Sequence, residues 1–598
     1  MRNYCSPFFF LSFTISLFSC SSSTPEEKIH GLVQKGIVGM QSIIDDQLLP
    51  AVERGKSDSI LFYYLSLRNE YKGIEAGMEY FMPATSKALN GAPIPEVELE
   101  GNTEVEPTGL QVMEPFIFPV YDTANKIQLL SEIRKMRSVL LRANQIWEVQ
   151  LPTVAQYWDA LYYEMIRVVT MGIAGFDTPG TGTGIKESSF ALQTVNNYLQ
   201  IIEQHKNTRI DMLLGKAIEY LNKNTGFNTF DRALFIRRYW QPAFAVIASE
   251  RLKLLEANSR SAISKNATGI FGNQFFDASF FTSDSMGTNS QLAALGEKLF
   301  YDTRLSFDGS RSCASCHQPE LYFTDNKKLS DNIHGTPLSR NTPSLLNTVF
   351  QTNYFWDLRA LNLEMQAKFV VDNQFEMHGS LKEVCKLLNK DASLNAEVKK
   401  VFGTNEAINE THIMQALASY QRTLIGFNSP FDAYMNGKDN AITGDAIEGF
   451  NLFMGKAKCG SCHFMPAFSG LVPPHFDRME SEVIGTPATA ANAEMDKDKG
   501  RGELFPAPTY MHAFKTPTVR NAAVTFPYMH NGAYNSLDEV MEFYNKGGGV
   551  GLGYEVLNQT LPFDSLGLNN REKKQIVAFI ESLTDQLPKQ ALSSAKRN

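Results

Sequence analysis

Two stretches of this 598-residue chain share one form, Cys-x-x-Cys-His: Cys313-Ala314-Ser315-Cys316-His317 and Cys459-Gly460-Ser461-Cys462-His463. Thiols at this spacing lie one helical turn apart, so each can add to one vinyl group of a single haem. The adjacent histidine then reaches the iron as proximal ligand. The motif recurs at domain spacing rather than at the short period of a solenoid. It predicts two covalently bound c-type haems, each with its own domain. Zinc would need further Cys or His ligands at matching spacing. Once the four motif cysteines, Cys5 and Cys20 are set aside, only Cys385 remains. A redox dithiol has no use for the histidine twice.

Haem of this kind is attached outside the cytoplasm, and the N-terminus reads as an export signal. Arg2 precedes an apolar run from Phe8 to Phe18, which ends in Leu17-Phe18-Ser19-Cys20 before a polar stretch. This resembles a bacterial lipobox with Cys20 as the lipidated residue. Ser21 stands where an aspartate would hold a lipoprotein in the inner membrane, which favours the outer membrane. The alternative is an ordinary signal peptide with an incidental cysteine. No later apolar run approaches the ~18 residues of a membrane span. A net charge of −8 argues against nucleic acid as a partner, because phosphate binding needs a basic face.

The expected organisation is mostly α: residues 1–20 a lipoprotein signal, 21–257 an N-terminal helical bundle, 258–289 a linker, 290–430 a first haem domain, 431–587 a second, and 588–598 a tail. Asn125–Gln150, Ser188–His205 and Tyr239–Glu256 carry apolar residues at helical spacing, and Gly91–Gly109 and Thr178–Gly184 read as loops. His30 and His205, the two histidines of this half, receive no role. Tyr71–Pro83 with Glu106-Pro107-Thr108-Gly109-Leu110-Gln111 faintly resembles imelysin-like helical domains, without that family's Gly-x-His-x-x-Glu signature. That likeness implies a helical bundle and no activity.

An ordered set of motifs runs through the C-terminal half: Leu305-Ser306-Phe307-Asp308, Arg340-Asn341-Thr342-Pro343-Ser344, Phe355-Trp356-Asp357, Gln366-Ala367, Glu376-Met377, Phe514-Lys515-Thr516-Pro517-Thr518-Val519-Arg520-Asn521 and Pro527-Tyr528-Met529-His530-Asn531-Gly532. With the two haem motifs among them, Gln291–Leu583 resembles the bacterial dihaem cytochrome c peroxidase and MauG family. The resemblance implies a peroxidatic haem on His317 and an electron-transfer haem on His463. Glu376 then matches the distal carboxyl that moves a proton between peroxide oxygens, Gln366 a distal hydrogen-bonding residue, and Trp356 the indole between the haems. Asn341, Thr525 and Pro527 match residues that hold a calcium ion between the haem domains, a suitable set of oxygen donors. His334 matches a loop histidine that ligates the first iron and leaves on activation, though an exposed loop histidine is an equal reading. His530 is expected near a haem propionate, and His378, His412, His475 and His512 receive no role.

An ungapped count from Thr525-Phe526-Pro527 puts the sixth-ligand slot of the second haem at Tyr544. Family peroxidases have methionine there and MauG has tyrosine, and Met541 and Met529 leave methionine ligation open. The sequence departs from the family at Leu358, where glycine is usual, and lacks the proline that usually follows Gln366-Ala367.

The implied reaction is reduction of hydrogen peroxide by an external donor, a small periplasmic cytochrome c or cupredoxin docking near the second haem. Three rivals stay open. One is a MauG-like oxidase of a protein or organic substrate. Another is a dihaem electron carrier without turnover. The third makes the N-terminal helices the working part, with the haems as relays. Members of the family are often homodimers, but no interface is legible in the sequence.

Overall fold

The computed structural model describes residues 23–98, 103–204, 208–254, 260–282 and 289–587. The signal and lipidation site at Cys20, as well as His205 and the tail, lie outside them. The described chain is mostly helical, and its strands form two short two-stranded ladders. Among the described residues no helix is long and apolar enough to cross a membrane.

In the N-terminal half the helix Ser57–Phe81 is the axis. Pro25–Ser42, Val154–Arg167 and Gly184–Glu203 all pack on it. Helix starts are set by local chemistry. Thr24 and Thr153 each cap a first turn, and Glu27 and Gln156 reach back to the capping residue's own amide.

This half buries charge as well as apolar surface. Arg68 donates to Glu187 at 2.7 and 2.9 Å, Lys72 pairs with Glu75 and Asp177 at 2.7 Å, and Arg167 grips both oxygens of Asp177 at 2.8 Å. All of these residues are buried. Burial opposes ionisation of Asp177, but Arg167 and Lys72 outweigh it and hold its carboxyl well below the usual carboxylate range. Glu164 is different. Neither of its oxygens has a hydrogen-bond partner, and burial, reinforced by Glu75, holds its carboxyl well above its ordinary value.

The C-terminal half contains the same crossing twice. Helix Ser290–Phe300 crosses Glu410–Gln421, and helix Gly444–Met454 crosses Asn570–Ser582. Each crossing needs a glycine. A Cβ on Gly296 would sit 1.8 Å from the Ala416 carbonyl oxygen, and one on Gly449 would sit 1.9 Å from that of Gln575. Each pair encloses one Cys-x-x-Cys-His turn.

The two units bury their apolar residues differently. The first has its own core around Leu295, Phe323, Leu381 and Leu417. The second shares one continuous core with the N-terminal half, from Ile29 through Trp240 to Phe431, Phe450 and Phe579. The connecting segment contributes to this core. Residues 260–282 form no helix or strand, but Phe276 is buried against Phe350, Phe427 and Phe476. The expected linker is therefore a packed strap rather than a loose tether. The N-terminal half also touches the second haem motif directly. Lys458 donates to the Pro179 carbonyl at 3.1 Å, and Met171 and Phe176 pack with Phe464 and Val472.

The buried charge cluster makes opposite predictions for two carboxyls. Asp177→Asn leaves Arg167 and Lys72 short of a counter-charge and is expected to lower stability by ~3–5 kcal/mol. Glu164→Gln should be nearly neutral, because the native group is already held protonated. The pH signs also differ. The contribution of Asp177 is present above its unfolded value and is lost as pH falls. That of Glu164 is present at low pH and is lost as pH rises through its raised value. Urea midpoints across pH for the two variants check both statements.

Candidate active site

The two haem motifs adopt one backbone form. Each begins with a tight 3₁₀ turn, Cys313–Ser315 or Cys459–Ser461. The histidine amide closes back on the first cysteine carbonyl, His317 to Cys313 at 3.0 Å and His463 to Cys459 at 2.9 Å. Both cysteines of a motif and its histidine are thus gathered by one turn. All four thiols are free of disulfides, and burial pushes Cys313 and Cys459 up to about 12.

The imidazoles show that these turns suit haem iron. His317 Nδ1 lies 3.0 Å from the Phe323 carbonyl oxygen, and His463 Nδ1 lies 3.0 Å from that of Pro517. A carbonyl only accepts, so Nδ1 carries the proton and Nε2 keeps its lone pair for a metal. Burial lowers both imidazole pKa values, His463 to about 4, which keeps each ring neutral as a ligand must be. Among the described residues no group of three or more His, Cys, Asp or Glu gathers as a metal site.

Around the first motif the structure brings together residues far apart in sequence. Glu376 lies in a turn after the helix Leu363–Asp372 that carries Gln366. Its Oε1 accepts from Asn373 Nδ2 at 2.7 Å. Burial raises its carboxyl pKa, against the pull of Arg359. The Glu376 carboxylate is the smallest of the charges acting on the Cys316 thiol, after burial and Asp325. The His334 loop is stitched to the Glu376 turn by Ile333 N to Phe375 O at 3.1 Å. His334 is exposed, with its ring centroid 5.7 Å from that of His378, two residues beyond Glu376.

A cavity of about 1670 Å³ lies against the second motif and reaches toward the first unit. Ordinary small-molecule pockets span about 300–1,000 Å³, so this one has room for more than a single small ligand. His463, Trp356 and Tyr544 line it, and so do the competing ligands Met541 and Met529. Tyr544 is raised well above its ordinary range, first by burial and then by the Cys459 and Cys462 thiols, which line the same cavity. Asn341, Thr525 and Pro527 line the same cavity, as does His530. Asn341 is already engaged, its Nδ2 donating to the Lys327 carbonyl at 2.9 Å. The His530 ring stacks on Phe514 at 3.6 Å and lies 3.3 Å from Asp496.

Trp356 is held at both ends. Its Nε1 donates to the Asn341 carbonyl at 2.9 Å, and its own carbonyl accepts from the Lys515 amide at 2.7 Å. Asp357, next in sequence, binds Arg340 and Arg359. Arg340 continues to Asp498 at 2.7 and 2.9 Å and so ties the first unit to the second. Leu358 then turns the chain at φ +61, the left-handed region that glycine enters without strain. The departure from the family at this position therefore falls where the backbone favours glycine.

Two further groups on the cavity wall received no role from the sequence. Glu482 is pushed up to about 7 by burial. Lys515, part of the Phe514–Asn521 motif, is pushed down to about 8 by burial, and its Nζ donates to Gln351 at 2.9 Å. The segments Ser481–Glu482 and Phe514–Lys515 pair antiparallel, with Glu482 opposite Phe514 and Lys515 opposite Ser481.

Residues 290–440 match the family model described as "Di-haem cytochrome c peroxidase". The chain is 37% identical over 294 residues to the methylamine utilization protein MauG of Methylorubrum extorquens, an alignment covering 48% of this chain and 77% of that protein. It is 34% identical to the cytochrome-c peroxidase IdrP1 of Denitromonas iodatirespirans, covering 49% and 81%. The cytochrome c551 peroxidase of Nitrosomonas europaea is 32% identical, covering 50% and 82%. With its two Cys-x-x-Cys-His turns and iron-ready imidazoles, the chain belongs to the dihaem cytochrome c peroxidase and MauG family of oxidoreductases.

Proposed function

We propose that the protein is an exported peroxidase that reduces hydrogen peroxide to water at the haem of His317. The observation that carries this reading is the first Cys-x-x-Cys-His turn, whose His317 keeps Nε2 free for a metal, in a unit where Asn373 holds the Glu376 carboxyl in a turn tied to the His334 loop. Reduction of peroxide takes up two electrons and two protons and releases two waters. Haem c, when bound, would supply the iron that binds peroxide and pass on the two electrons drawn from the external donor. Glu376 moves the proton from the near to the far oxygen, a role suited to a carboxyl with a raised pKa. Asn373 fixes the orientation of that carboxyl. Gln366 is the second distal hydrogen-bonding group, and the His334 loop, tied to the Glu376 turn, gates access.

Trp356 is the connecting indole, and its double anchoring supports a fixed distance between the two units. Calcium between the units is ligated by Asn341, Thr525 and Pro527. The donor is a small periplasmic cytochrome c or cupredoxin. The chain is lipid-anchored at Cys20 on the periplasmic side of the outer membrane, and homodimerisation belongs to the same reading. Tyr544 favours a second reading, a MauG-like oxidase. A phenolate oxygen is a hard donor that stabilises higher oxidation states, whereas a methionine thioether raises the potential.

Glu376→Gln is expected to lower peroxide turnover by at least ~10²-fold. The pyridine haemochrome count should stay at two per chain, and both haem spectra should be retained. Turnover equal to wild type would remove Glu376 from the mechanism. Tyr544→Met is expected to raise the midpoint potential of one haem and leave the other in place. Spectroelectrochemistry showing neither potential moved would remove Tyr544 as a ligand.

A further inference from the structure

Two histidines outside both haem motifs meet at the surface of the first unit. His334 and His378 come from separate loops, and their ring centroids are 5.7 Å apart. Nothing proposed for peroxide chemistry uses His378. Two imidazoles that share one metal ion through nitrogen bonds of ~2.0–2.1 Å bring their ring centroids to about 5 Å apart at the tetrahedral angle, whatever the angle between the ring planes. The observed pair needs only a small approach to reach that separation, and side-chain rotation supplies it.

Each imidazole stands on a fixed support. Asn332 ties the His334 turn together, its Oδ1 accepting from the His334 amide at 2.8 Å and the Thr336 amide at 3.1 Å. Arg311 grips the carbonyls of Asp331 and Asn332 at 2.9 and 2.8 Å. His378 sits at φ +47, in the left-handed region that favours glycine, with its amide donating to the Asn373 carbonyl at 2.8 Å. Its ring packs edge to face with Phe307 at 5.1 Å. Its Nδ1 lies 2.9 Å from the Gln374 carbonyl oxygen. Nδ1 therefore carries the proton and Nε2 keeps a lone pair, the same carbonyl-fixed tautomer as in His317 and His463.

We propose that His334 and His378 form a surface site for a borderline divalent transition-metal ion, of the zinc, nickel or copper class, and that the ion clamps the His334 loop to the Glu376 turn. Imidazole nitrogens suit these ions, whereas calcium and magnesium take oxygen ligands. Among the described residues no third His, Cys, Asp or Glu joins the pair. Water completes the coordination, and the ion is exchangeable rather than structural. The two loops already touch through Ile333 N and Phe375 O at 3.1 Å, so the ion adds a second link across an existing junction. Binding needs neither peroxide nor turnover, so loss of the peroxidase reading leaves it standing.

The test uses ferric holoprotein without peroxide, titrated with zinc in a calorimeter. Zinc should fill one saturable equivalent that excess calcium does not displace. His378→Gln should weaken that equivalent at least tenfold with both haem spectra unchanged, and His334→Gln should weaken it as much. Hydrogen exchange in the peptide spanning residues 330–338 should slow on adding zinc to the wild type and not in His378→Gln, a change outside that peptide. Absence of the zinc equivalent, its displacement by calcium, wild-type zinc affinity in either variant, or zinc binding that leaves the exchange of this peptide unchanged would each overturn the proposal. If His378→Gln fails to fold, His334→Gln, at an exposed position, decides.

Discussion

A histidine can serve a metal only through a nitrogen that carries no proton, and in this chain that requirement is met by backbone carbonyls. Phe323 O and Pro517 O each hold an Nδ1 proton at 3.0 Å and so free Nε2. Neither carbonyl lies in a haem motif. Phe323 follows closely, within the loop that returns to Thr324. Pro517 lies 54 residues from His463, in the Phe514–Asn521 segment. The second site is therefore correct only when the whole second unit has folded. The crossing of Gly444–Met454 with Asn570–Ser582, made possible by Gly449, is part of that condition.

The same dependence extends into the N-terminal half. Because that half and the second unit share one core, the second haem motif is buttressed by Met171, Phe176 and Pro179 as well as by its own helices. The first unit has its own core and is tied to the rest both by polar links, among them Arg340–Asp498 and the Trp356 carbonyl, and by Phe350 and Phe427, which pack on Phe276 in the shared core. This division matches the chemistry expected of each. The site proposed for peroxide lies beside an exposed loop, that of His334. A site that passes electrons gains from fixed distances. It also bears on the donor. The side of the second motif at Lys458 is covered by the N-terminal half, so the proposed donor would have to approach from another side or through that half.

How much was legible in the sequence follows the range of the interactions involved. The two Cys-x-x-Cys-His turns are local and could be read outright, and so could the helical character of the chain. The family pattern brought Glu376, Trp356 and Tyr544 to notice; Trp356 and Tyr544 line the cavity at the second motif, and Glu376 lies in the turn after Leu363–Asp372 in the first unit. Glu482 and Lys515 were not legible, because their shifted pKa values arise from burial beside a two-residue ladder with no periodicity to mark it. The segment 260–282 reads as a linker because its phenylalanines have no period. Phe271, Phe275 and Phe276 are nonetheless buried, against Phe431, Phe476 and Phe350 respectively, in a core assembled from both halves.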